Sequence, residues 1–383
     1  MKIKKFIFIN YIILNSVFGI AELPKLNINK ESTRITSTSN IPIVTYADIL
    51  EEAIPSVVSV YSSRIVKNNK MTQKSLKNLL DPSHYPFSNI KNHEEKEYKI
   101  IKSGSGVIIS ENGYIITNRH VIQINNEKLA DKIQIKLNNN AKYTAQLVSA
   151  DKKTDIAVLK INSKTPLPAI KIADSDTLKI GDIIFSIGNP QNIGLTATKG
   201  IISALERNSY EILGKESYEN FIQTDAPINL GNSGGALIDS WGRLIGINTA
   251  IVSNSNLYSN IGFAIPINMV INAAKHLIEN GKVKRGLIGI HAIDLTTEII
   301  QNINSTHGIL ISKIKPNSPA QKKRIKCGDI ITKINNKPIK SVKQLRLIVS
   351  QISPGIEIKI TLIRKNKKFI IPIILETLND SFI

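Results

Sequence analysis

The sequence predicts a mainly β protein with two folded units, a larger one made of short strands and a smaller α+β one. Short apolar runs separated by turn residues follow one another closely from Gly104 onward, which is typical of a barrel or a sandwich. One sustained helical pattern, at 266–280, ends at Gly281, a residue suited to a helix C-cap. After Arg285 the strand pattern restarts, so the 383 residues are predicted to hold a second unit.

Composition agrees with a β-rich interior and argues against a nucleic-acid partner. Hydrophobic residues make up 42% of the chain and aromatic residues only 5%, so Ile, Leu and Val supply most of the core. The net charge is +20, but the lysines are scattered among asparagines and isoleucines without a nucleic-acid-binding motif. We therefore expect them on solvated surfaces and predict no nucleic-acid binding. The single cysteine, Cys327, excludes an intramolecular disulfide and is expected to be structural.

The first residues predict export. The basic segment 1–5 is followed by an apolar run at 6–20, and the small residues Gly19 and Ala21 precede Glu22 as in a signal-peptidase site. The run is short for a membrane span and is interrupted by polar residues. Two outcomes are open: a soluble protein after removal of residues 1–21, or a protein held in the membrane by residues 6–20.

The larger unit is predicted over 46–270, after a flexible polar lead-in at 22–45. A helix at 47–54 stops at Pro55, which cannot continue a helix, and the first strand follows at 56–61. The segment 62–102 is polar, has no sustained period and is predicted to be a long surface loop. Further strands are expected at 106–109, 114–117, 132–137, 141–149, 156–161, 183–187, 199–205, 221–224, 236–238, 244–251 and 262–265.

The smaller unit is predicted over 286–377. A connecting helix and hinge at 271–285 lead into it, and residues 378–383 form a tail. Its strands are expected near 308–314, 329–334, 357–364 and 369–375, and its helices at 319–326 and 341–352.

A glycine-rich segment, Gly231-Asn232-Ser233-Gly234-Gly235, has the composition of a nucleophile loop. A serine hydroxyl is a poor nucleophile unless a neighbouring base takes its proton. Glycines around Ser233 let the backbone turn sharply, so that the N–H groups of Gly231 and Ser233 point at one spot and form an oxyanion hole. Alone, this segment is equally typical of an ordinary turn.

His120 and Asp155 supply the other two groups that acyl transfer requires. His120 follows an apolar run, and an imidazole with an ordinary pKa of about 6.5 suits a general base near neutrality. Asp155 opens an apolar strand, where a buried carboxylate accepts the imidazole N–H and fixes its tautomer. Each alone has an ordinary structural explanation. Together with Ser233 they give the chain order His, Asp, Ser of trypsin-like enzymes.

Several stretches between residues 45 and 376 resemble the HtrA (Deg) family of serine proteases. They lie at 104–107, 117–121, 155–159, 188–190, 200–204, 221–226, 231–237 and 262–266. The resemblance implies a trypsin-like double six-stranded β-barrel protease domain, with the active site between the barrels, followed by a PDZ domain. It also identifies His120, Asp155 and Ser233 as the catalytic triad.

The resemblance further implies which residues bind substrate. A pocket for a small-to-medium aliphatic residue is expected from Ile228, Leu230, Asn248, Thr249, Ala250 and Ile251. Asp225 is expected to be structural, because Asp155 already supplies the triad carboxylate. In the PDZ domain, the loop Gly286-Leu287-Ile288-Gly289 is expected to hold the C-terminal carboxylate of a peptide.

The predicted function is therefore that of an ATP-independent serine endopeptidase degrading misfolded or damaged exported proteins in the periplasm. The family implies a homotrimer or larger homo-oligomer, and no cofactor or metal ion is predicted. The single PDZ domain leaves one alternative open, a membrane-anchored regulatory protease that cleaves a stress-signalling substrate. A second alternative, from another class, is a PDZ-bearing holdase or scaffold with secondary proteolysis.

Overall fold

The computed structural model describes residues 26, 28, 30, 45–67, 89–93, 97–125, 128–189, 194–208, 213–214, 216–249, 261–295 and 307–378. Two closed six-stranded barrels are followed by an α+β domain, which confirms the predicted fold class. The predicted signal segment lies outside the described residues. Within them, no helix is both long and apolar enough to cross a membrane.

The first barrel is a ring of antiparallel strands. Its elements are β1 (Val57–Lys67), β2 (Asn89–His93), β3 (Glu97–Ile108), β4 (Tyr114–Asn118), β5 (Gln123–Asn125), β6 (Lys128–Leu129), β7 (Lys132–Lys136), β8 (Lys142–Asp151) and β9 (Ile156–Lys160). The ring runs β1-β7-β8-β9-β4-β3 and closes where β3 pairs with β1, while β2 extends the sheet beyond β3. Val58, Ile108, Ile115 and Leu159 fill its interior.

The prediction of a loop over 62–102 was wrong at both ends. β1 continues to Lys67, β2 occupies 89–93, and β3 already begins at Glu97. The pairing of β1 with β3 runs from Val57↔Val107 to Lys67↔Glu97 without a break in register. The outer part of this strand pair extends beyond the core, as the exposed side chain of Ile65 shows. Its sequence therefore lacks the apolar alternation of a half-buried strand.

The second barrel follows the same plan. Its strands are β10 (Ile183–Gly188), β11 (Thr196–Arg207), β12 (Phe221–Thr224), β13 (Ala236–Asp239), β14 (Leu244–Thr249) and β15 (Gly262–Pro266), closed in the order β10-β11-β12-β15-β14-β13. A separate apolar cluster lies between the two barrels. It joins Val107 and Ile116 of the first barrel to Phe185, Ile238 and Ile247 of the second. This cluster fixes the two barrels against each other.

Two segments belong to the protease core more closely than the sequence suggests. Leu26 and Ile28, in the predicted flexible lead-in, pack against the cluster between the barrels. The helices of this region are α1 (Ala47–Ala53), α2 (Arg119–Ile122) and α3 (Ile267–Asn280), with 3₁₀ turns at Ile54–Ser56 and Ser175–Thr177. α3 buries one face on the same cluster, so only 281–285 connect the two domains. Gly281 ends α3 with φ 69°, which confirms the predicted cap.

The smaller domain, predicted to be a PDZ domain, is a sheet with two helices in the part of it that the structure describes. Its elements are β16 (Gly286–Leu287), β17 (Ile290–Asp294), β18 (Ile309–Ile314), α4 (Pro319–Lys322), β19 (Ile330–Ile334), β20 (Lys337–Pro338), α5 (Val342–Ser350), β21 (Glu357–Arg364), β22 (Lys367–Ile374) and β23 (Glu376–Thr377). The main sheet runs β17-β18-β19-β21-β22, and β16 pairs with β23. The sequence predicted β18, β19, β21, β22 and both helices, but it missed β17 and the two-residue strands β16, β20 and β23.

The connecting segment and the smaller domain contact the larger domain through charged and aromatic groups. The Arg285 guanidinium lies 2.5 Å from the Asp151 carboxylate, and both groups are largely buried. The guanidinium groups of Arg285 and Arg346 lie 4.7 and 4.8 Å from the centre of the Tyr218 ring. Cation–π contacts of this kind favour a defined docking of the two domains.

His276 lies at the same junction and is only 9% exposed. Its Nδ1 accepts a hydrogen bond from the backbone N–H of Lys284 at 3.1 Å, and its Nε2 lies 3.2 Å from the Ser353 hydroxyl. A ring nitrogen that accepts a hydrogen bond carries no proton, so the structure uses the neutral imidazole. Burial lowers the pKa of His276; the charge of Glu279 opposes the shift, and Lys284 and Arg285 add to it.

We expect acidification to weaken the fold through His276. Because its pKa is lower in the folded chain, the unfolded chain binds the proton first. Neutral His276 contributes fully to the free energy of unfolding above the ordinary histidine pKa of about 6.5. This contribution is lost as the pH falls through the pKa that His276 has in the folded chain. His276→Asn keeps an acceptor for Lys284 without titrating in this range. Urea unfolding from about pH 8 to about pH 5 should show a smaller loss of stability for the variant. Equal losses would contradict the assignment.

Candidate active site

His120 lies on a one-turn helix rather than at the end of a strand. β4 ends at Asn118, and α2 carries the histidine directly afterwards. The next two residues, Val121 and Ile122, are buried in the first barrel and anchor the turn. The imidazole therefore stands on a fixed backbone, with its side chain 42% exposed to solvent.

Asp155 holds His120 by two hydrogen bonds. The backbone N–H of His120 donates to Oδ1 at 2.9 Å, and His120 Nδ1 lies 2.6 Å from Oδ2. The Asp155 side chain is only 7% exposed. A buried carboxylate in this position favours the tautomer with its proton on Nδ1. Nε2 is then the ring nitrogen able to accept a proton.

The backbone of Asp155 is also constrained. Its φ of 57° lies in the left-handed region, which aspartate tolerates better than most residues. Its carbonyl oxygen accepts the Arg119 N–H at 2.9 Å and the Asn118 side-chain amide at 3.2 Å. The turn before β9 and the start of α2 are thus tied together, so the carboxylate and the imidazole keep their geometry.

The Ser233 loop has the tight backbone that its glycines predict. Gly231 and Gly234 have φ values of 100° and 81°, which other residues rarely adopt. The Gly235 N–H donates to the Asn232 oxygen at 2.9 Å, closing the turn around Ser233. A Cβ atom on Gly234 would lie 2.2 Å from the Ser105 oxygen and 2.3 Å from Thr117 Oγ1. The loop therefore presses directly on the first barrel, near the end of β4.

The three predicted segments meet at this contact. The Ser105 N–H on β3 donates to the Ser233 oxygen at 2.8 Å. A Cβ atom on Gly104 would lie 2.7 Å from the Val121 side chain and 3.3 Å from the Ser233 oxygen. Gly104 thus has the nucleophile loop and the helix of His120 as immediate neighbours. The arrangement brings the helix of His120 and the loop of Ser233 to one junction, and acyl transfer requires a base and a serine that are neighbours.

The sequence motifs predicted no role for three residues of this junction. Ser105, Thr117 and Asn189 all lie in stretches that match the family, but a hydroxyl or an amide there carries no distinctive signal. In the structure, Thr117 Oγ1 donates to the Ser105 oxygen at 2.7 Å, and the Asn189 N–H donates to Ser105 Oγ at 2.8 Å. These bonds depend on contacts between strands distant in sequence, which a motif does not display.

A partly buried lysine also lies near the site. Lys102 pairs with Ser62 across β1 and β3, and the Ser62 hydroxyl donates to the Val121 oxygen at 2.7 Å. Burial lowers the pKa of Lys102 to about 8. Lys102 therefore remains mainly protonated near neutrality, close to α2.

The predicted pocket residues differ in their surroundings. Ile228 lies beside Gly262, and Leu230 is exposed next to the Ser233 loop. Asn248 is fully buried, and its side-chain amide donates to Ser186 Oγ at 3.0 Å and to the Ala236 oxygen at 2.9 Å. The role of these residues in the pocket stays a prediction.

Three further residues are expected to line the substrate pocket. Thr249 is buried on β14, while Ala250 and Ile251 lie outside the described residues. Asp225 accepts the Ile201 N–H at 2.7 Å, which agrees with a structural role.

The predicted carboxylate-binding loop lies at the edge of the PDZ sheet. Gly286 and Leu287 form β16, and Ile288 is buried in the PDZ core. Gly289 has φ 84°, and a Cβ atom there would lie 2.1 Å from the Ser318 Cβ. Only glycine fits this position, and β17 begins immediately after it. The loop thus leads directly into a strand at the edge of the main sheet.

Comparisons with known proteins agree with these observations. Residues 104–247 match the trypsin-like peptidase domain, and residues 286–374 match the PDZ domain. The chain is 40% identical over 348 residues to the periplasmic pH-dependent serine endoprotease DegQ of Escherichia coli, covering 89% of this chain and 72% of DegQ. It is 39% identical over 368 residues to the periplasmic serine endoprotease DegP of Escherichia coli, covering 91% and 76%.

Solved structures give the same result. The HtrA-type protease AlgW with a decapeptide superposes with a TM-score of 0.66 at 35% identity, covering 88% of this chain and 99% of AlgW. The serine endoprotease from Yersinia pestis superposes with a TM-score of 0.56 at 35% identity, covering 89% of this chain and all of the Yersinia pestis chain. Similarity to these relatives shows that the chain is a serine endopeptidase and supports a periplasmic location for it. The chain belongs to the HtrA (Deg) family of serine endoproteases.

Proposed function

We propose that this endopeptidase degrades misfolded or damaged exported proteins, with Ser233 as nucleophile, His120 as general base and Asp155 as the group that orients His120. The contact of Asp155 with both the backbone and the ring of His120 is the observation that carries the proposal. The relatives bear the names of endoproteases, which favours neither a regulatory anchor nor a scaffold as the main role.

The reaction follows from these groups. Ser233 Oγ attacks the peptide carbonyl carbon while its proton passes to His120 Nε2. The carbonyl oxygen becomes an oxyanion, which the N–H groups of Gly231 and Ser233 stabilise. His120 then gives the proton to the leaving amine, and the acyl-enzyme forms. Water, deprotonated by the same imidazole, releases the acid and restores Ser233, so no ATP is required.

The first test is the loss of the nucleophile. Ser233→Ala should lower kcat for an unfolded protein substrate by about 10⁶, because removing a triad serine leaves only binding and oxyanion stabilisation. Cleavage is followed by mass spectrometry of the fragments. With the intact enzyme, cleavage after aliphatic residues is expected, as Ile228 and Leu230 suggest. Binding of a peptide to the PDZ domain, which lies elsewhere, serves as the control for folding. Cleavage by a pure Ser233→Ala preparation at the normal rate would contradict the assignment.

The PDZ domain is proposed to bind the free C-terminus of a peptide. Backbone amides of the loop at 286–289 would hold the carboxylate, and the peptide would add as a strand beside β17. The end of β17 and the start of α5 lie side by side, because the Val342 N–H donates to the Asp294 carboxylate at 2.6 Å.

A pair of peptides tests this binding mode. A peptide with an apolar last residue and a free carboxylate should bind, and the same peptide with a C-terminal amide should bind at least tenfold more weakly, because the charge-assisted bonds are lost. Fluorescence anisotropy measures both affinities. Equal affinities would show that the loop does not recognise a carboxylate.

The protein is further proposed to be soluble in the periplasm after removal of residues 1–21, as a homotrimer or larger assembly. Purification from the native host should yield a protein that begins near Glu22, by N-terminal sequencing, and a multiple of the subunit mass, by native mass spectrometry. A retained Met1 would favour the membrane-anchored form, and a monomer would contradict the assembly.

A further inference from the structure

Ser105 makes four hydrogen bonds at the junction of the barrels, and its side chain is fully buried. Its N–H donates to the Ser233 oxygen at 2.8 Å, and its hydroxyl donates to the Gly231 oxygen at 2.7 Å. The hydroxyl also accepts the Asn189 N–H at 2.8 Å, and its carbonyl oxygen accepts Thr117 Oγ1 at 2.7 Å. One residue of the first barrel thus holds two carbonyl groups of the nucleophile loop.

The Gly231 carbonyl occupies a decisive place in that loop. The two oxyanion donors are the N–H of the peptide group 230–231 and the N–H of the peptide group 232–233. The carbonyl held by the Ser105 hydroxyl belongs to the peptide group 231–232, which lies between them. Since each peptide group is planar, a hydrogen bond to this carbonyl fixes the orientation of the whole 231–232 group, so the flanking groups can no longer rotate together with it. Gly231 has φ 100° and is a glycine, so its own backbone offers little resistance to such a rotation.

The direction of the Ser105 hydroxyl is itself determined by its neighbours. A hydroxyl has one hydrogen, and the Asn189 N–H already occupies one of its lone pairs. The hydrogen is therefore available to the Gly231 oxygen. Asn189 is buried and held in turn: its side-chain amide donates to Ser59 Oγ at 2.7 Å, and its Oδ1 accepts the Gly194 N–H at 2.9 Å. The hydroxyl is thus held in place by both barrels.

We propose that Ser105 is a positioning residue for the oxyanion hole: its hydroxyl holds the 231–232 peptide group so that the flanking N–H groups face the reacting oxygen. This inference rests on the proposed function, because it requires Gly231 and Ser233 to be the oxyanion donors. A merely structural role, docking the loop on the barrel, belongs to a different bond. That bond is the backbone N–H of Ser105 to the Ser233 oxygen, which a side-chain substitution leaves in place.

Ser105→Ala separates the two roles. We expect kcat to fall by about 10 to 10²-fold, less than the 10²–10³ lost when a donor itself is removed, with KM within about twofold of wild type. KM should change little, because the oxyanion exists only in the transition state. Affinity for a peptide aldehyde that mimics the tetrahedral intermediate should weaken by the same factor as kcat/KM. The NMR signal of the His120 Nδ1 proton should persist at its wild-type chemical shift, since the hydrogen bond between Asp155 and His120 is untouched.

Ser110→Ala is the matched control. Ser110 is also buried, and its hydroxyl likewise donates one hydrogen bond and accepts one: it donates to the side-chain oxygen Asn112 Oδ1 at 2.7 Å and accepts from the Tyr114 N–H at 3.1 Å. It lies in the β3–β4 turn. Deleting it removes the same kind of bonds without affecting the nucleophile loop, so kcat should remain within about twofold of wild type.

The outcomes are distinct. A kcat for Ser105→Ala equal to that of Ser110→Ala overturns the proposal, and so does a loss of kcat accompanied by loss of the His120 Nδ1 signal. If Ser105→Ala does not fold, Ser105→Cys carries the test. A thiol of similar size is a weak donor, so kcat should lie between the wild-type value and the value expected for Ser105→Ala. A wild-type kcat for Ser105→Cys would then overturn the proposal. Failure of the proposed function would instead appear as activity in Ser233→Ala, whatever Ser105 does.

Discussion

The site depends on a close backbone approach between the two barrels. The Ser233 loop of the second barrel lies against β3 of the first, where the Ser105 N–H reaches the Ser233 oxygen at 2.8 Å. Gly234 has no room for a side chain at this contact, because a Cβ atom there would lie 2.2 Å from the Ser105 backbone oxygen. A side chain at Gly234 therefore forces the barrels apart or turns the loop, since the backbone atoms of β3 cannot move independently. Ser233, the proposed nucleophile, and His120 come from different barrels, so this contact decides whether they meet.

The rest of the protease domain supports this approach. The apolar cluster between the barrels joins strands of both, while each barrel also has its own interior. A rigid support of this kind holds catalytic groups better than loops alone. Asp155 is then fixed by α2 on one side and by the turn that begins at Asp151 on the other. Asp151 also accepts the Thr154 N–H at 2.9 Å and pairs with Arg285, the last residue before the PDZ domain. The carboxylate of Asp155, proposed as part of the triad, therefore lies four residues from a contact with the segment that leads into the PDZ domain.

Much of the architecture could be predicted because it depends on local signals. Apolar runs between turn residues gave most strands of both barrels, and Gly281 marked the end of α3. The residues of the proposed triad were identifiable because each stands in a short motif. Other features depend on contacts between distant segments. The outer ends of β1 and β3 pair with each other but have no apolar alternation. Leu26 and Ile28 lie in a polar stretch, and β17 is short and half-exposed. Asn248 and Ser105 are polar residues whose burial only the tertiary structure reveals.

The central claim is that Ser233 and His120 act as one pair across the junction. A fluorophosphonate, which reacts with a serine only when a base activates it, tests this directly. Mass spectrometry of the labelled protein should find one adduct, on the peptide that contains Ser233, and His120→Ala should abolish it. An adduct on Ser233 that forms at the same rate without His120, or an adduct on another serine alone, would contradict the account.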